Sequence, residues 1–294
     1  MERVLITGAS GQLGLTLNQL LTDNKDYELY LTKTRALADG MIKGLDLTDR
    51  DAIYALVEEI KPDIIINCAA MTAVDLCESE PDKAYQINAL GPKYLAEAAN
   101  QSKAKLIHIS SDYVFDGAAT EPFTEDSKTN PISVYGKTKL AGDEFITQTC
   151  KRYFILRTAW VYGEGRNFVK TMLKLSESGN KIRVVADQIG TPTSALELAR
   201  VIVRLMKTDC YGIYNASCEG STSWYEFART IFLETGIKAE VEPIPTTEYP
   251  TPAKRPMYSV LDNRALREKL GYFMMDWKEA LKEYLNSNGN REVR

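Results

Sequence analysis

The sequence has very little histidine, which removes several classes of active site. His108 is the single histidine among 294 residues. One imidazole cannot supply the two histidine ligands that many catalytic metal sites use, and it disfavours a histidine-based nucleophilic triad. His108 lies in the strand-like run at residues 106–109 and has no local partner, so we interpret it as structural.

The cysteines are few and poorly spaced for a disulfide framework or a metal site. Five are present, they form no C-x-x-C pair, and their number is odd: Cys68, Cys77, Cys150, Cys210 and Cys218. This pattern favours reduced thiols packed as small apolar side chains. The residues themselves therefore give no metal ligand.

Long apolar runs and excess positive charge are also missing. No stretch approaches the roughly 18 apolar residues of a membrane helix. The formal net charge of −4 disfavours a broad nucleic-acid-binding face. The first predicted strand starts at residue 3, which leaves no room for a secretion signal. We expect a cytoplasmic protein with neither a membrane nor a nucleic-acid partner.

Strand-like and helix-like segments alternate through the first half of the chain. Strands are predicted at residues 3–7, 27–32, 41–45, 63–67, 105–111 and 153–157, and helices at 12–21, 49–60, 81–101 and 131–149. Such alternation implies right-handed crossovers and an α/β fold with a doubly wound parallel sheet, the Rossmann arrangement.

The second half is less regular, and five prolines interrupt residues 243–256. Two helices are predicted near the C-terminus, at 262–270 and 276–285. We expect a dinucleotide-binding domain of residues 1–155 plus about 186–220. Residues 156–185 and 221–294 would form a smaller, mixed C-terminal substrate-binding domain.

Three glycines at three-residue spacing follow the first strand. Gly8 suits a tight turn, Gly11 lets the backbone approach a pyrophosphate, and Gly14 allows close helix–strand packing. The following helix offers free N–H groups and a positive dipole end to phosphates. The loop predicts a dinucleotide site with contacts from Gly8, Ser10, Gly11, Gln12, Leu13 and Gly14.

The end of the second strand indicates which nicotinamide cofactor is used. An acidic residue there would bind the ribose 2′-hydroxyl of NAD, but the sequence is Thr32-Lys33-Thr34-Arg35. We therefore favour NADPH, bound by Lys33 and Arg35. Solvated loop charges would look the same, so NADH stays open as an alternative.

Two further strand ends are expected to line the cofactor site, because ligands of doubly wound sheets bind at the carboxyl ends of strands. Asp46 and Leu47 are placed beside the adenine. Ala69, Ala70 and Met71 are placed beside the nicotinamide.

A tyrosine and a lysine lie four residues apart on a predicted helix, so their side chains share one face. The ammonium of Lys139 would lower the pKa of the Tyr135 phenol towards the working range. Tyr135 could then protonate a carbonyl oxygen during hydride transfer, with Lys139 also bound to the nicotinamide ribose. Ser111 ends the preceding strand and could polarise the same carbonyl. The alternative is a strand-end cap at Ser111 and a surface role for Tyr135.

With these residues in place, the chain resembles the dTDP-4-dehydrorhamnose reductases, a family of extended short-chain dehydrogenases/reductases, over nearly its whole length. The tryptophan after the Arg-Thr strand and the Asp-Gln-x-Gly-x-Pro-Thr run are the more specific signals. The motifs are NCAAMTAVD at residues 67–75, SSDYVF at 110–115, VYGKTKLAG at 134–142, RTAWVYG at 157–163, DQIGTPT at 187–193 and RP at 255–256, leading to SVLD at 259–262.

The resemblance implies NADPH-dependent reduction of the 4-keto group of dTDP-4-dehydro-β-L-rhamnose to dTDP-β-L-rhamnose, a precursor of cell-surface polysaccharide. It implies Tyr135 as proton donor, Lys139 as its helper and Ser111 as the hydroxyl partner. Some members form homodimers with Mg²⁺ at the interface, for which no ligand is assigned here. The residues expected at the sugar nucleotide are Thr72, Ser111, Asp112, Tyr113, Trp160 and Arg255.

Two departures from the family pattern affect fine specificity. Ser111 stands where threonine is frequent, and Met71 stands where histidine or tyrosine is frequent. Trp160 could instead be a core aromatic, and Arg255 could lie in a solvated loop. Two rival functions stay open: an epimerase or dehydratase that retains NAD, and a non-catalytic regulatory subunit with the same fold.

Overall fold

The computed structural model describes residues 1–36 and 42–289. Within these ranges the chain forms thirteen strands and eleven α-helices. The strands are β1 (Glu2–Thr7), β2 (Tyr27–Lys33), β3 (Ile42–Gly44), β4 (Ile64–Asn67), β5 (Lys105–Ser111), β6 (Tyr153–Thr158), β7 (Val161–Tyr162), β8 (Ile182–Val185), β9 (Ile189–Gly190), β10 (Thr193–Ser194), β11 (Gly212–Asn215), β12 (Thr222–Ser223) and β13 (Val241–Ile244). The helices are α1 (Gln12–Leu21), α2 (Arg50–Ile60), α3 (Val74–Ser79), α4 (Pro81–Tyr85), α5 (Gly91–Ser102), α6 (Val134–Thr149), α7 (Phe168–Ser176), α8 (Ala195–Met206), α9 (Trp224–Thr235), α10 (Arg264–Leu270) and α11 (Trp277–Gly289).

Seven strands form one central sheet in the order β11-β6-β5-β4-β1-β2-β3. All neighbouring pairs in it are parallel. β1 lies between β2 and β4, so the strand order reverses there, and ligands of such sheets bind at the carboxyl ends beside this reversal. The predicted doubly wound parallel sheet is confirmed.

Helices cover both faces of the sheet, which explains the continuous apolar runs of its strands. On β1, Val4 and Ile6 are buried against α1 and α8. The intervening Leu5 points to the opposite face and joins the core formed with α2, α5 and α6. The alternation along one strand thus builds two separate cores.

Most of the predicted bounds hold to within two residues. The helix predicted at residues 81–101 is present but is interrupted by a π-helical turn, Gln86–Leu90. The helix predicted from Pro131 starts three residues later, because Ser133 caps it by accepting a hydrogen bond from the Gly136 amide at 3.1 Å. The third strand covers Ile42–Gly44, and the predicted Met41 lies outside the described residues.

The C-terminal part of the chain adds a third core around α7, α9 and α11, with three two-stranded pairs, β7–β10, β9–β12 and β8–β13. The predicted domain boundaries stay a prediction. One helix assigned to the C-terminal domain, α10, places Leu266 in the core shared by α1 and α8. In the described part of the chain, every helix is too short or too polar to span a membrane.

Candidate active site

A cavity of about 950 Å³ opens at the carboxyl ends of the central strands and joins the glycine loop to α6. It brings together most of the residues predicted for the site. Gly14, Arg35, Met71 and Arg255 are the predicted residues outside its lining. Those that line it are Gly8, Ser10, Gly11, Gln12, Leu13, Lys33, Asp46, Leu47, Ala69, Ala70, Thr72, Ser111, Asp112, Tyr113, Tyr135, Lys139 and Trp160.

The glycine loop has the backbone that a phosphate cradle needs. Gly8 has φ +67°, and a Cβ there would lie 2.7 Å from the Ala69 nitrogen. A Cβ on Gly14 would lie 2.4 Å from the Gly8 oxygen, so Gly14 serves packing although it is outside the cavity. At the start of α1, Gly11 provides no side-chain cap, and the first turn carries no acidic residue. Among the described residues, the buried Oε1 of Gln12 has no hydrogen-bond partner. The loop therefore fits a dinucleotide diphosphate.

The two cations after β2 occupy different environments. Lys33 is half-buried and lines the cavity, whereas Arg35 is exposed and lies outside the lining. The structure therefore favours Lys33 over Arg35 as a contact to a ribose phosphate. Asp46 also lines the cavity, and its Oδ1 accepts hydrogen bonds at 2.9 Å from the amide and hydroxyl of Thr48. These bonds fix the turn that carries Asp46.

Met71 lies behind the cavity wall. Its backbone amide donates to Asn88 Oδ1 at 2.8 Å, and Asn88 Nδ2 donates to the Met71 oxygen at 3.1 Å. Its side chain is buried in a small apolar cluster that includes Tyr135. Asn88 is fully buried in the π-helical turn and holds the loop through both polar groups. Sequence reasoning missed Asn88, because a single polar residue in a helix carries no local signal.

Tyr135 is held at the start of α6 beside the end of β5. Its ring packs edge-on against Tyr113 with centroids 5.4 Å apart. Burial raises the pKa of Tyr135 above that of an ordinary phenol, and a hydrogen bond with the Ser111 side chain acts in the opposite direction. The expected lowering of this pKa by Lys139 is not found, because loss of water outweighs the other influences. The phenol is therefore protonated at neutral pH, which is the form that can donate a proton.

Lys139 is fully buried one helical turn further along α6. Its Nζ donates to the Ile109 oxygen at 2.7 Å and lies 3.2 Å from Nε2 of His108. Burial lowers the pKa of Lys139 to about 8, while the nearby Asp143 acts to raise it. Sequence reasoning missed both neighbours. Asp143 lies one helical turn further along α6, a spacing that the sequence displays, whereas the approach of His108 from β5 depends on packing.

Ser111 acts as a cap and also lies beside the phenol. Its Oγ accepts from the Tyr113 amide at 3.2 Å and donates to Asp112 Oδ1 at 2.8 Å. The other oxygen of Asp112, Oδ2, is buried and has no hydrogen-bond partner in the described part of the chain. Burial raises the pKa of this carboxyl to about 6. The hydroxyl of Thr158, also in the cavity lining, has no partner either. These unpartnered atoms suit a polar ligand.

Trp160 has φ +47°, an uncommon backbone conformation for a residue with a side chain. Its indole stacks on Trp224, with ring centroids 3.5 Å apart and planes inclined by 9°. A Cβ on Gly190 would lie 2.5 Å from the indole, so this glycine leaves room for it. The Thr193 amide donates to the Trp160 oxygen at 3.2 Å. The Asp-Gln-x-Gly-x-Pro-Thr run thus supports the tryptophan from behind. Trp224 also lines the cavity and was not predicted.

Arg255 is committed to other protein groups. Its Nη2 donates to Asp75 Oδ2 at 2.7 Å, and Nη1 donates to the Tyr113 hydroxyl at 3.3 Å. The guanidinium thereby ties the first turn of α3 to the C-terminal part of the chain, outside the cavity lining. Across residues 1–36 and 42–289, no group of three or more histidine, cysteine or acidic side chains is arranged to hold a metal ion.

The family model described as RmlD substrate binding domain matches residues 1–289. The spore coat polysaccharide biosynthesis protein SpsK of Bacillus subtilis is 43% identical over 291 residues, which cover 99% of each chain. A solved dTDP-4-dehydrorhamnose reductase from Clostridium acetobutylicum is 48% identical, with a TM-score of 0.93, and the match covers 98% of this chain and 99% of that one.

A second solved dTDP-4-dehydrorhamnose reductase, from Bacillus anthracis in complex with NADP, is 41% identical with a TM-score of 0.91. That match covers 97% of this chain and 99% of the other. The resemblance inferred from the motifs is therefore confirmed. The chain belongs to the dTDP-4-dehydrorhamnose reductase family, which the RmlD substrate binding domain model describes.

Proposed function

We propose that the protein is an oxidoreductase that reduces the 4-keto group of dTDP-4-dehydro-β-L-rhamnose to dTDP-β-L-rhamnose with NADPH. One observation carries the proposal. A single cavity has the glycine loop at one end and the side chains of Tyr135 and Ser111 at the other. A cofactor and a carbonyl can therefore meet in it. The relatives named dTDP-4-dehydrorhamnose reductase, one of them solved with NADP, support this substrate and cofactor.

The glycine loop would hold the diphosphate of the cofactor. Gly8 and Gly11 let the backbone come close, the start of α1 offers uncapped amides, and Lys33 offers a cation to a ribose phosphate. When bound, NADPH supplies the hydride. Ala69 and Ala70 would form the wall beside the nicotinamide, with Asn88 holding the next residue of their loop in place.

At the other end of the cavity, Tyr135 would donate its proton to the carbonyl oxygen as negative charge develops there. Its raised pKa keeps that proton available at neutral pH. Ser111 would hydrogen-bond the same oxygen and polarise the carbonyl. Lys139 lies one helical turn away and would bind the nicotinamide ribose and stabilise the phenolate after transfer.

The sugar nucleotide would lie between these groups and the C-terminal part of the chain. Asp112 and Thr158 line the cavity and have buried oxygens without hydrogen-bond partners among the described residues. The Asp112 carboxylate would accept hydrogen bonds from sugar hydroxyls, and the Thr158 hydroxyl would accept or donate them. Thr72 and Tyr113 line the same region, and Trp160 provides an apolar face. Arg255 would act through its bond to Tyr113.

Residues 1–155 with about 186–220 would form the cofactor domain, and 156–185 with 221–294 the substrate domain. We also propose a cytoplasmic location, since the proposed cofactor and nucleotide sugar belong to that compartment.

A homodimer with Mg²⁺ at its interface is the assembly that the family resemblance implies. Sedimentation of the purified protein with and without a chelator tests it, and a monomer in both conditions would reject it.

The direct test offers dTDP-4-dehydrorhamnose and NADPH to the purified protein and follows the loss of NADPH absorbance. We expect steady oxidation that requires the sugar nucleotide. Tyr135→Phe should bind NADPH like the wild type but lose turnover by about 10²–10⁴-fold, because the phenol supplies the proton. Near-normal turnover in this variant would reject its role.

The same preparation separates the rival functions. A tightly held NAD that survives purification, with epimerisation of a sugar nucleotide and no net oxidation, would indicate an epimerase. NADPH binding without turnover of any dTDP-keto sugar would indicate a non-catalytic subunit.

A further inference from the structure

The single histidine lies directly behind the active site and is absent from the mechanism described so far. His108 is on β5, fully buried, and does not line the cavity. Its Nδ1 is 3.0 Å from Nδ2 of Asn67, and its Nε2 is 3.2 Å from Nζ of Lys139. Which ring nitrogen carries the hydrogen decides what Lys139 encounters.

Asn67 fixes the tautomer of the ring. Its Oδ1 accepts from the Thr7 hydroxyl at 2.6 Å and from the Ala69 amide at 3.2 Å. A backbone amide can only donate, so the side-chain oxygen of Asn67 must face Ala69, and its NH₂ group must face His108. Nδ1 of His108 therefore accepts and carries no hydrogen.

It follows that the neutral imidazole carries its hydrogen on Nε2, which faces Lys139. A charged ammonium has three donors and no acceptor, so two donors would meet at 3.2 Å. A neutral amine has a lone pair that accepts the Nε2 hydrogen. The contact is a hydrogen bond when Lys139 is uncharged, and the bond from Lys139 to the Ile109 oxygen persists in both states.

The other charged groups around the ring leave this relation intact. Asp143 Oδ1 lies 3.9 Å from His108 Nε2, beyond hydrogen-bond range, and has no hydrogen-bond partner within residues 1–36 and 42–289. Its Oδ2 accepts from Ser110 at 2.8 Å and lies 3.6 Å from Nε of Arg157 on β6. Burial, and next the charge of Lys139, hold the pKa of His108 well below its usual range, so the ring stays neutral.

We propose that His108 is a positioning residue that acts through Lys139. Its Nε2 hydrogen bond favours the uncharged amine and so sets the pH at which this lysine loses its charge. The consequence of this hydrogen bond for catalysis rests on the proposed function. In a reductase, the loss of activity at alkaline pH would follow the loss of the Lys139 charge.

The test measures the titration of Lys139 directly. The protein is labelled with ¹³C at the lysine ε-carbons, and the Lys139 resonance is assigned by its loss in Lys139→Arg. His108→Asn keeps an acceptor for Asn67, but its shorter side chain ends before the position of Nε2, so the donor to Lys139 is lost. We expect the resonance to titrate about one pH unit higher, because one hydrogen bond to the neutral form is lost. Water entering the space would act in the same direction, since it solvates the ammonium.

A second variant leaves the histidine in place and reverses its tautomer. Asn67→Leu, which adds no charge, removes the donor that holds Nδ1, so the ring hydrogen can move there and Nε2 becomes an acceptor for the ammonium. The Lys139 titration should again move to higher pH. Ile107→Val, a buried change on the same strand outside this network, is the matched control and should leave the titration unchanged.

A Lys139 titration at the wild-type pH in either folded variant would overturn the inference, and a shift in the control would do the same. If His108→Asn fails to fold, Asn67→Leu decides the question. The readout needs no substrate. A wild-type protein that reduces no dTDP-4-dehydrorhamnose would therefore reject the proposed function and leave this result standing.

Discussion

The buried lysine should make the stability of the protein depend on pH in a way that one substitution isolates. Lys139 is fully buried, and its pKa is lowered from 10.5 to about 8. Below pH 8 the folded protein must hold a charge that burial disfavours, whereas the unfolded chain holds it in water. Folding stability is therefore gained as pH rises from about 8 towards 10.5, where the unfolded state binds more protons.

The magnitude follows from the same two values. A lysine pKa of about 8 in place of 10.5 corresponds to about 3 kcal/mol of unfolding free energy, most of which is recovered between pH 7 and pH 10. In Lys139→Met this dependence is absent. We expect the unfolding free energy of the variant, relative to wild type, to fall by about 2–3 kcal/mol over that range. Costs that do not depend on pH, such as the lost bond to Ile109, cancel in the comparison.

Urea unfolding at several pH values, extrapolated to water for both proteins, measures the effect. Lys137→Met is the matched control, because Lys137 lies on the same helix but is exposed. It should follow the wild-type pH dependence. Parallel curves for wild type and Lys139→Met would refute the reasoning, since they would mean that Lys139 ionises alike in the folded and unfolded chain.

Three other predictions concern the cavity. Gly190→Ala should lower the unfolding free energy by about 1–3 kcal/mol and raise KM for the sugar nucleotide, because its Cβ would displace Trp160; an unchanged unfolding midpoint would contradict this packing. Lys33→Ala should weaken NADPH binding, measured by titration calorimetry, more than Arg35→Ala, since Arg35 lies outside the cavity lining; equal losses would contradict it. The pKa of Asp112 is raised to about 6 by burial, so Asp112→Asn should remove a pH dependence of KM near that value, and a retained dependence would assign it to another group.

The elements that could be predicted from the sequence are those fixed by local patterns. The glycine spacing and the apolar period place α1 at its observed residues, Gln12–Leu21. The three isoleucines of β4 are buried on both sides, as a run without alternation indicates. The order of glycine loop, Ser111 and Tyr135 along parallel strands and helices also brings them to one sheet edge. These features depend on short-range rules that the sequence displays directly.

The features that could not be predicted arise from contacts between distant segments. The π-helical turn around Asn88 satisfies the backbone of Met71, seventeen residues earlier in the chain. Trp160 has φ +47°, and its indole stacks on Trp224 and fills the space beside Gly190, where a side chain would clash with it. Neither contact leaves a periodic or compositional trace. The prediction that Lys139 lowers the pKa of Tyr135 is wrong for a related reason. Burial raises this pKa, and burial is a property of the whole fold.

We expect the buried network behind the active site to lower the folding stability at neutral pH and to bring the pKa of Lys139 closer to neutrality. Burial lowers the pKa of Lys139 and raises that of Asp143, so it opposes the charge on both. Water in this space would solvate the ammonium and compete with the hydrogen bond from His108. The lysine would then keep its charge at every working pH. Where water is excluded, the pKa of Lys139 stays close to the working pH. A change in one neighbouring hydrogen bond can then add or remove its proton. A cofactor ribose or a newly formed phenolate beside it would supply such a change.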